Sequence, residues 1–370
     1  MTAPDPIPAG ALKALFARAR RDIDDGTLPS CQVAVAHSGR LIAAETFGAE
    51  ESARYVVFSV TKALTASAIW LLFGEGNLRP ETAVAELVPE FATPGKDLVT
   101  VEHLLTHTAG FARAPMRPEE GADPDRRRAR FASWRLDWAP GSRTEYHATS
   151  ASWVLADLIE RVTGTDFRKF FASRVAGRLG LPRLQLGVPA DEQGDVLDLT
   201  LTGDGGSAGE KLGDRLAETA DGLLLRFNEP RVRAAGVPGA GAVAGAGDVA
   251  LYYQALLHDP SAVWDPAVLA DATGRIRNAM VDPLLGVAAN RTLGLVIAGD
   301  DGHAVVRQFG RTVGPRTFGS MGVGGQLAWA DPDTGLSFCY LTNGLDVEVV
   351  SAFTRSAKIA GLAGRCGQPA

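Results

Sequence analysis

Residues 59–74 read SVTKALTASAIWLLFG. The stretch is rich in Ala, Leu and Ile and contains no Gly or Pro before its last residue, which predicts a buried helix. It opens with an S-x-x-K pattern in which Ser59 and Lys62 hold the two fixed positions. Because residues three apart lie on one face of a helix, the Lys62 amine should lie near the Ser59 hydroxyl.

This arrangement suits an activated serine. The helix N-terminus provides free N–H groups and partial positive charge beside Ser59, and both stabilise a developing alkoxide. A desolvated Lys62 can lose its proton and accept one from the serine. The four-residue pattern alone is weak, since an N-capping serine followed by a surface lysine has the same letters. The apolar helix behind it favours the nucleophile.

The two ends of the chain carry similar patterns. Residues 8–25 place apolar side chains at helical spacing and end at Gly26, and two β-rich runs then flank Ser38-Gly39, which predicts a hairpin. In the last third we predict three strands and a helix, over 292–297, 325–330, 336–343 and 347–362.

The middle of the chain is mostly helical in pattern. We predict helices over 101–105, 150–162 and 167–179, and a further helix over 248–259. The economical architecture is an α+β fold in which both chain ends build one antiparallel sheet flanked by helices, with a mostly helical insertion.

The chain has 370 residues, more than one compact core usually contains, so we expect two subdomains. The sheet subdomain would comprise residues 1–75 plus 231–370, and the helical subdomain residues 76–230. The active site would lie in the cleft between them.

Composition argues against several classes of partner. The net charge is −6, whereas nucleic-acid binding favours a basic face, and the arginine run 126–128 is typical of a solvated surface. We find neither an apolar run of membrane-spanning length nor a secretory signal. Cys31, Cys339 and Cys366 are far apart and form no C-x-x-C pair. We therefore expect a cytoplasmic protein without nucleic-acid or membrane partners; the oligomeric state stays open.

Three further motifs follow the S-x-x-K in order. Residues 103–111 read HLLTHTAGF, and a Pro140-Gly141 turn leads to Tyr146, just before an apolar helix that ends in VTG. Residues 318–325 read FGSMGVGG and precede a strand that ends in ADP. This order resembles the serine β-lactamase and penicillin-binding-protein-like superfamily, in particular class C β-lactamases, and more closely the family VIII carboxylesterases and D-alanyl-D-alanine peptidase-like proteins. The likeness runs from about residue 28 to residue 343.

The resemblance implies a role for each matching residue. Ser59 would be the acylated nucleophile and Lys62 its proton acceptor or electrostatic partner. Tyr146 fills the tyrosine position of a Y-x-N motif and would shuttle a proton between Ser59, the leaving group and the deacylating water. Since a phenol normally titrates near pH 10, Lys62 must lower the pKa of Tyr146 by proximity.

The same resemblance places a second strand at the site. Ser320, Met321 and Gly322 occupy the three positions of the K-T-G or H-x-G motif, where substrate would bind. The backbone N–H of Val323 would pair with that of Ser59 as an oxyanion hole.

Three positions depart from the family pattern. Ala148 replaces the asparagine of Y-x-N, so a side-chain amide is missing, and His147 or Thr149 would have to replace part of it at the substrate. Ser320 replaces the cation that would hold the carboxylate of a β-lactam or peptide, and Met321 makes the site more apolar. These losses favour neutral esters over β-lactams.

We therefore predict a serine hydrolase that cleaves small-molecule carboxylic esters, with no metal and no organic cofactor. Three alternatives stay open. The first is a β-lactamase or D-alanyl peptidase acting on an amide, with a cation near Ser320 supplied by Arg311 or Arg316. The second is an acyltransferase that uses the same acyl-enzyme with an acceptor alcohol. The third is a binding protein that keeps the fold without turnover.

Other patterns have simpler explanations. Residues 205–209 match the G-x-S-x-G nucleophile elbow but lie in a Gly-rich run typical of a loop. Residues 239–244 resemble a dinucleotide-binding fingerprint but have no clear strand before them. We interpret His103 and His107 as structural residues that hold the motif loops. The tryptophans have two equally good interpretations, acyl-pocket lining or core packing: Trp134, Trp138 and Trp153.

Overall fold

A computed structural model describes residues 7–203 and 224–368. The strands are β1 (Cys31–His37), β2 (Arg40–Phe47), β3 (Tyr55–Val56), β4 (Gln185–Leu186), β5 (Thr200–Thr202), β6 (Ala242–Ala244), β7 (Val296–Ile297), β8 (Phe318–Gly322), β9 (Gln326–Asp331), β10 (Leu336–Thr342) and β11 (Gly344–Asp346). The helices of the described residues are α1 (Ala9–Asp24), α2 (Thr61–Gly74), α3 (Val84–Leu87), α4 (Val101–Leu105), α5 (Pro118–Gly121), α6 (Pro124–Ser133), α7 (Ser150–Thr163), α8 (Phe167–Phe171), α9 (Pro230–Ala235), α10 (Ala246–His258), α11 (Pro266–Gly274) and α12 (Val349–Gly364).

One six-stranded antiparallel sheet forms the centre, in the order β2-β1-β10-β9-β8-β7. The N-terminal strand β1 pairs with β10 along its whole length, from Cys31 opposite Thr342 to His37 opposite Leu336. Both chain ends therefore build the sheet. The predicted α+β class, with an antiparallel sheet flanked by helices, is confirmed.

Strands β1, β9 and β10 are buried on both faces, whereas the edge strand β2 is partly exposed. Successive side chains of a strand point in opposite directions, so each buried strand contributes to two cores. In β1, Ala34 and Ala36 join the core formed with α2, α7 and α10, whereas Val33 and Val35 join a second core formed with α1 and α12. Burial on both faces explains why these strands are nearly continuous apolar runs rather than alternating ones.

Most predicted elements occur where the pattern placed them. The hairpin turns at Ser38-Gly39, whose φ angles of 51° and 73° suit a tight two-residue turn. The strand predicted over 292–297 is shorter, since only Val296–Ile297 pairs with β8. The helix predicted over 167–179 ends its α-helical part at Phe171 and continues as a π-helical turn over Ala172–Ala176. The division into two subdomains stays a prediction.

The arginine run is not uniformly solvated, so that prediction was wrong for one of its members. The Arg126 side chain is 70% exposed, but the Arg127 side chain is fully buried and donates to Asp157 Oδ1 of α7 at 3.0 Å and 2.7 Å. Helical spacing turns Arg127 toward α7, where its guanidinium pairs with the buried Asp157 carboxylate. Within the described ranges, none of the helices has both the length and the apolar character that crossing a bilayer requires.

Candidate active site

Ser59 lies in a single 3₁₀ turn, Phe58–Val60, that leads directly into α2. Phe58 just before it has φ of +43°, a left-handed conformation that costs a non-glycine residue about 1–3 kcal/mol. Burial of its ring, edge-on to Phe227 with centroids 5.4 Å apart, holds this backbone in place. The turn presents Ser59 at the mouth of the buried helix.

Lys62 makes three contacts that fix its amine. Its Nζ lies 3.2 Å from Ser59 Oγ and donates to the carbonyl oxygens of Ala148 at 2.7 Å and Gly239 at 2.8 Å. The two carbonyls can only accept, so they occupy two N–H groups. The third position of the nitrogen faces Ser59, where it donates as an ammonium and would accept as a neutral amine.

The surroundings of Lys62 change the pKa of its amine. Burial lowers the pKa of Lys62, and the neighbouring Tyr146 opposes that shift. An amine that is easier to deprotonate than a free lysine, 3.2 Å from a hydroxyl, can take part in proton transfer from it.

Tyr146 reaches Ser59 from a distant segment, just before α7. Its hydroxyl donates to Ser59 Oγ at 2.6 Å. Burial raises the pKa of Tyr146, but the charge of Lys62, hydrogen bonding of the phenol oxygen with Lys62 and Ser59, and the charge of Arg291 together lower it below its ordinary value. The structure thus brings the hydroxyl, the amine and the phenol together.

Strand β8 runs beside the Ser59 turn. Ser320 Oγ donates to the carbonyl oxygen of Ser59 at 2.8 Å. A Cβ at Gly322 would lie 2.8 Å from the carbonyl oxygen of Val57, so only glycine permits this approach. Val323 follows immediately and is 42% exposed. The predicted oxyanion-hole residues are therefore close neighbours in the fold.

Met321 does not share this position. It packs against the second core, on the face of the sheet opposite α2, because side chains alternate along β8. Its predicted contact with substrate is therefore not favoured, and Ser320 is the side chain of this motif that touches the Ser59 turn.

His147 is also turned away from the cleft. Its ring is fully buried, with Nδ1 2.7 Å from the carbonyl oxygen of Glu145 and Nε2 accepting from the Phe111 N–H at 3.3 Å. With both ring nitrogens engaged by backbone, the ring has no atom left for a substrate, contrary to our expectation. Burial lowers the pKa of His147 to about 4, so the ring is neutral at physiological pH.

His103 and His107 hold the motif loops, as predicted. His103 Nδ1 accepts from the backbone N–H of Thr100 at the start of α4, at 3.1 Å. His107 Nδ1 accepts from the backbone N–H of His147 at 3.1 Å, which ties the HLLTHTAGF loop to the loop that carries Tyr146. Trp134 and Trp153 are core residues, and Trp138 is half-buried beside the His147 ring.

Two contributors were missed by sequence reasoning. Gly239 belongs to the fingerprint-like stretch 239–244, yet its carbonyl binds Lys62, and the strand β6 follows these glycines instead of preceding them. Arg291 belongs to no recognised motif, yet its guanidinium carbon lies 5.3 Å from the centroid of the Tyr146 ring. No local pattern marks either residue.

Neither of the cations that the sequence suggested forms a hydrogen bond with Ser320 in the described part of the chain. Arg316 is bound by Asp333, with both side chains in solvent, and Arg311 is exposed. The G-x-S-x-G match at 205–209 lies outside the described residues. Over the ranges 7–203 and 224–368, no three His, Cys, Asp or Glu side chains form a group that could hold a metal ion.

Comparison with known proteins agrees with this architecture. A family model described as Beta-lactamase matches residues 15–360. The Esterase/beta-lactamase LipL of Mycobacterium tuberculosis (strain H37Rv) is 28% identical over an alignment of 313 positions, and the match covers 78% of this chain and 69% of LipL. Esterase EstB of Burkholderia gladioli is 29% identical over 253 residues, and the match covers 61% of this chain and 62% of EstB.

Solved structures show the same fold over nearly the whole chain. A penicillin-binding protein homologue from Caulobacter crescentus superposes with a TM-score of 0.77 at 26% identity, covering 96% of this chain and 97% of that one. A family VIII carboxylesterase superposes with a TM-score of 0.79 at 24% identity, covering 96% and 98%. The protein is a serine hydrolase. It belongs to the beta-lactamase family, whose model spans most of its length.

Proposed function

We propose that the protein hydrolyses carboxylic esters through an acyl-enzyme on Ser59. The observation that carries the proposal is the position of Ser59 Oγ, 3.2 Å from the Lys62 amine and 2.6 Å from the Tyr146 hydroxyl. The pKa values of the amine and the phenol are both lowered, so a hydroxyl held between them can transfer its proton to this pair.

Acylation begins when the Lys62–Tyr146 pair takes the Ser59 proton. Ser59 Oγ then attacks the ester carbonyl, and the new oxyanion accepts hydrogen bonds from the backbone N–H groups of Ser59 and Val323. The proton passes to the alkoxide oxygen as the C–O bond of the ester breaks. An alcohol leaves, and the acyl group stays on Ser59.

Deacylation runs the same steps with water. The pair accepts a proton from a water molecule, the hydroxide attacks the acyl carbonyl, and the bond to Ser59 Oγ breaks. The proton returns to Ser59 Oγ, and the carboxylic acid is released. Lys62 and Tyr146 share the proton as a coupled pair, so the apparent pKa values of the reaction belong to both.

The lining of the site favours esters over β-lactams. Ser320 donates its hydroxyl to the chain itself and brings no charge to the position where the family pattern has a cation. At Ala148 only the backbone carbonyl takes part, bound to Lys62. A neutral ester has no carboxylate that a cation would have to bind. It also has no amide that would need the missing asparagine side chain. The name of EstB, an esterase, supports this choice, and that of LipL includes both esterase and beta-lactamase.

The test compares turnover of a p-nitrophenyl ester, nitrocefin and a D-alanyl peptide by the wild type and S59A. We expect ester cleavage by the wild type, little turnover of the two amides, and loss of several orders of magnitude in S59A. Faster turnover of nitrocefin would replace the esterase assignment with a β-lactamase. Full activity of S59A would overturn the mechanism.

Two further measurements separate the remaining alternatives. An acceptor alcohol added to the assay yields a new ester if the acyl-enzyme is a transferase intermediate, and leaves the acid yield unchanged if water is the acceptor. A fluorophosphonate labels Ser59 in a working enzyme, whereas a binding protein that lacks turnover remains unlabelled.

A further inference from the structure

Arg291 is buried beside the catalytic tyrosine with few partners of its own. Its side chain is 13% exposed, and its guanidinium lies 3.5 Å from Asp282 Oδ2. Its Nε is buried and has no hydrogen-bond partner among the described residues. Desolvating a guanidinium in this way is costly unless another group compensates for it.

Two groups compensate for this cost, the Asp282 carboxylate and the aromatic ring of Tyr146. The Arg291 guanidinium carbon lies 5.3 Å from the ring centroid, within the range of a cation–π contact. Lys62 Nζ lies 4.7 Å from the same centroid. Two cations thus contact one tyrosine whose hydroxyl touches the nucleophile.

The segment that carries Arg291 is anchored to both motif loops. Asn278 pairs with Arg291 in an antiparallel bridge, and its side-chain amide donates to Thr106 O and to Thr144 Oγ1, each at 2.9 Å. Thr144 lies two residues before Tyr146. The position of the guanidinium relative to the ring is therefore set by contacts on both sides.

We propose that Arg291 is a positioning residue for Tyr146 and places a positive charge against its ring. It holds the ring beside Ser59 and stabilises the phenolate while Tyr146 has passed on its proton. The inference rests on the proposed function only for the catalytic role of Tyr146, since the contact itself exists without substrate.

The other groups that face Tyr146 do not provide this charge. Besides Lys62 and Ser59, the ring meets His107, with centroids 4.8 Å apart. Burial, followed by the charge of Arg291, holds the pKa of His107 well below its ordinary value, so this imidazole is neutral. The carboxylate of the adjacent Glu145 is bound by Arg113 and Arg143.

Near-ultraviolet titration of the phenolate tests the proposal without any substrate. The chain has five tyrosines. Burial raises the pKa of Tyr55 to about 12 and also raises the pKa values of Tyr252, Tyr253 and Tyr340 above their ordinary value. The first phenolate to form as the pH rises therefore belongs to Tyr146, and its absence in Y146F assigns it.

R291M should move this first titration upward by about one pH unit or more, because it removes a cation within 6 Å of the ring. R291K keeps the charge and should titrate near the wild type. R316M is the matched control, since it removes an arginine bound to Asp333 in solvent, and it should change nothing.

Ester cleavage provides a second readout. The acid limb of kcat/KM should move to higher pH in R291M by the same amount as the phenolate titration. At a fixed pH on that limb, kcat of R291M should be about tenfold below that of the wild type for each pH unit of the shift, with little change in KM. A mutant that only loosened the fold would not shift the limb and the phenolate together, and R291K would not rescue it.

An unchanged phenolate titration in R291M overturns the proposal, and so does equal damage by R291K and R291M. If R291M does not fold, R291Q serves as the neutral variant. If neither folds, R291K decides alone, because a titration shifted by a full pH unit contradicts the inference and an unshifted one supports it. Failure of the esterase assignment appears instead as absent turnover in the wild type, with the titration intact.

Discussion

At the scale of single residues, the chemistry depends on what surrounds each side chain. Ser59 and Lys62 could be named from an S-x-x-K pattern, but two of the three Lys62 contacts are carbonyl oxygens, of Ala148 and Gly239. Carbonyl groups are present at every position and leave no mark in a sequence. For Lys62, the side chain at position 148 therefore matters less than the backbone carbonyl, which alanine provides as well as asparagine would.

His147 shows the same limit from the other side. Its place beside Tyr146 suggested a substrate contact, but both of its ring nitrogens bind backbone groups of the two motif loops. Local sequence gave its position in the chain and could not give the direction of its ring. This burial has a consequence for stability that can be measured.

We expect His147 to make folding sensitive to acid. In the unfolded chain an imidazole titrates near 6.5, and burial lowers the pKa of His147 in the folded chain to about 4. Between these pH values the unfolded chain binds more protons, so the stability due to the neutral ring is complete above 6.5 and is lost as the pH falls toward 4. The loss is on the order of 3 kcal/mol.

Urea unfolding at a series of pH values checks this, with H147Q as the comparison because glutamine does not titrate. The wild type should lose on the order of 3 kcal/mol more than H147Q between pH 6.5 and pH 4. Parallel pH dependences of the two proteins would contradict the assignment.

At the scale of elements, α2 decides the geometry of the site, because it carries Lys62 and follows the Ser59 turn. Twelve of its residues are buried, from Thr61 to Leu72. Its apolar composition predicted this burial, whereas the backbones that approach it closely could not be predicted. Gly294 is one of these, with φ of +109° and a position for a Cβ only 2.3 Å from the Cβ of Ala66.

Gly294→Ala should therefore destabilise the protein through two effects, an unfavourable φ and a collision with α2. Gly302→Ala is the matched control, because Gly302 has φ of +79° and open space around its Cα. We expect G294A to lower the free energy of unfolding by about 2 kcal/mol more than G302A does. Denaturant unfolding of both variants measures the difference. Equal losses of unfolding free energy would contradict the expected collision with α2.

At the scale of the whole molecule, the site assembles from segments far apart in the chain. Ser59 and Lys62 come from the first quarter, Tyr146 from the helical middle, and Ser320 and Val323 from β8 and the turn that follows it in the last quarter. The sheet makes this possible, since β1 and β10 pair and bring the chain ends together. Sequence patterns predicted the sheet, its two contributing ends and the order of the motifs.

What the patterns did not predict are interactions between segments. The burial of Arg127 requires Asp157 on another helix, and the arginine that contacts the Tyr146 ring is Arg291, which no motif marked. Such pairings depend on distances in space between residues that have no fixed spacing in sequence. Motifs marked Ser59, Lys62 and Tyr146, and only the fold shows which groups surround them.

The central claim is that Lys62 and Tyr146 act together on Ser59. The most direct test follows acylation of the protein by a p-nitrophenyl ester after acid quenching, by intact mass and peptide mapping. The wild type should carry the acyl group on Ser59, K62A and Y146F should acylate several orders of magnitude more slowly while remaining folded, and S59A should not acylate. An acyl group on another residue, or K62A and Y146F reacting as fast as the wild type, would contradict the claim.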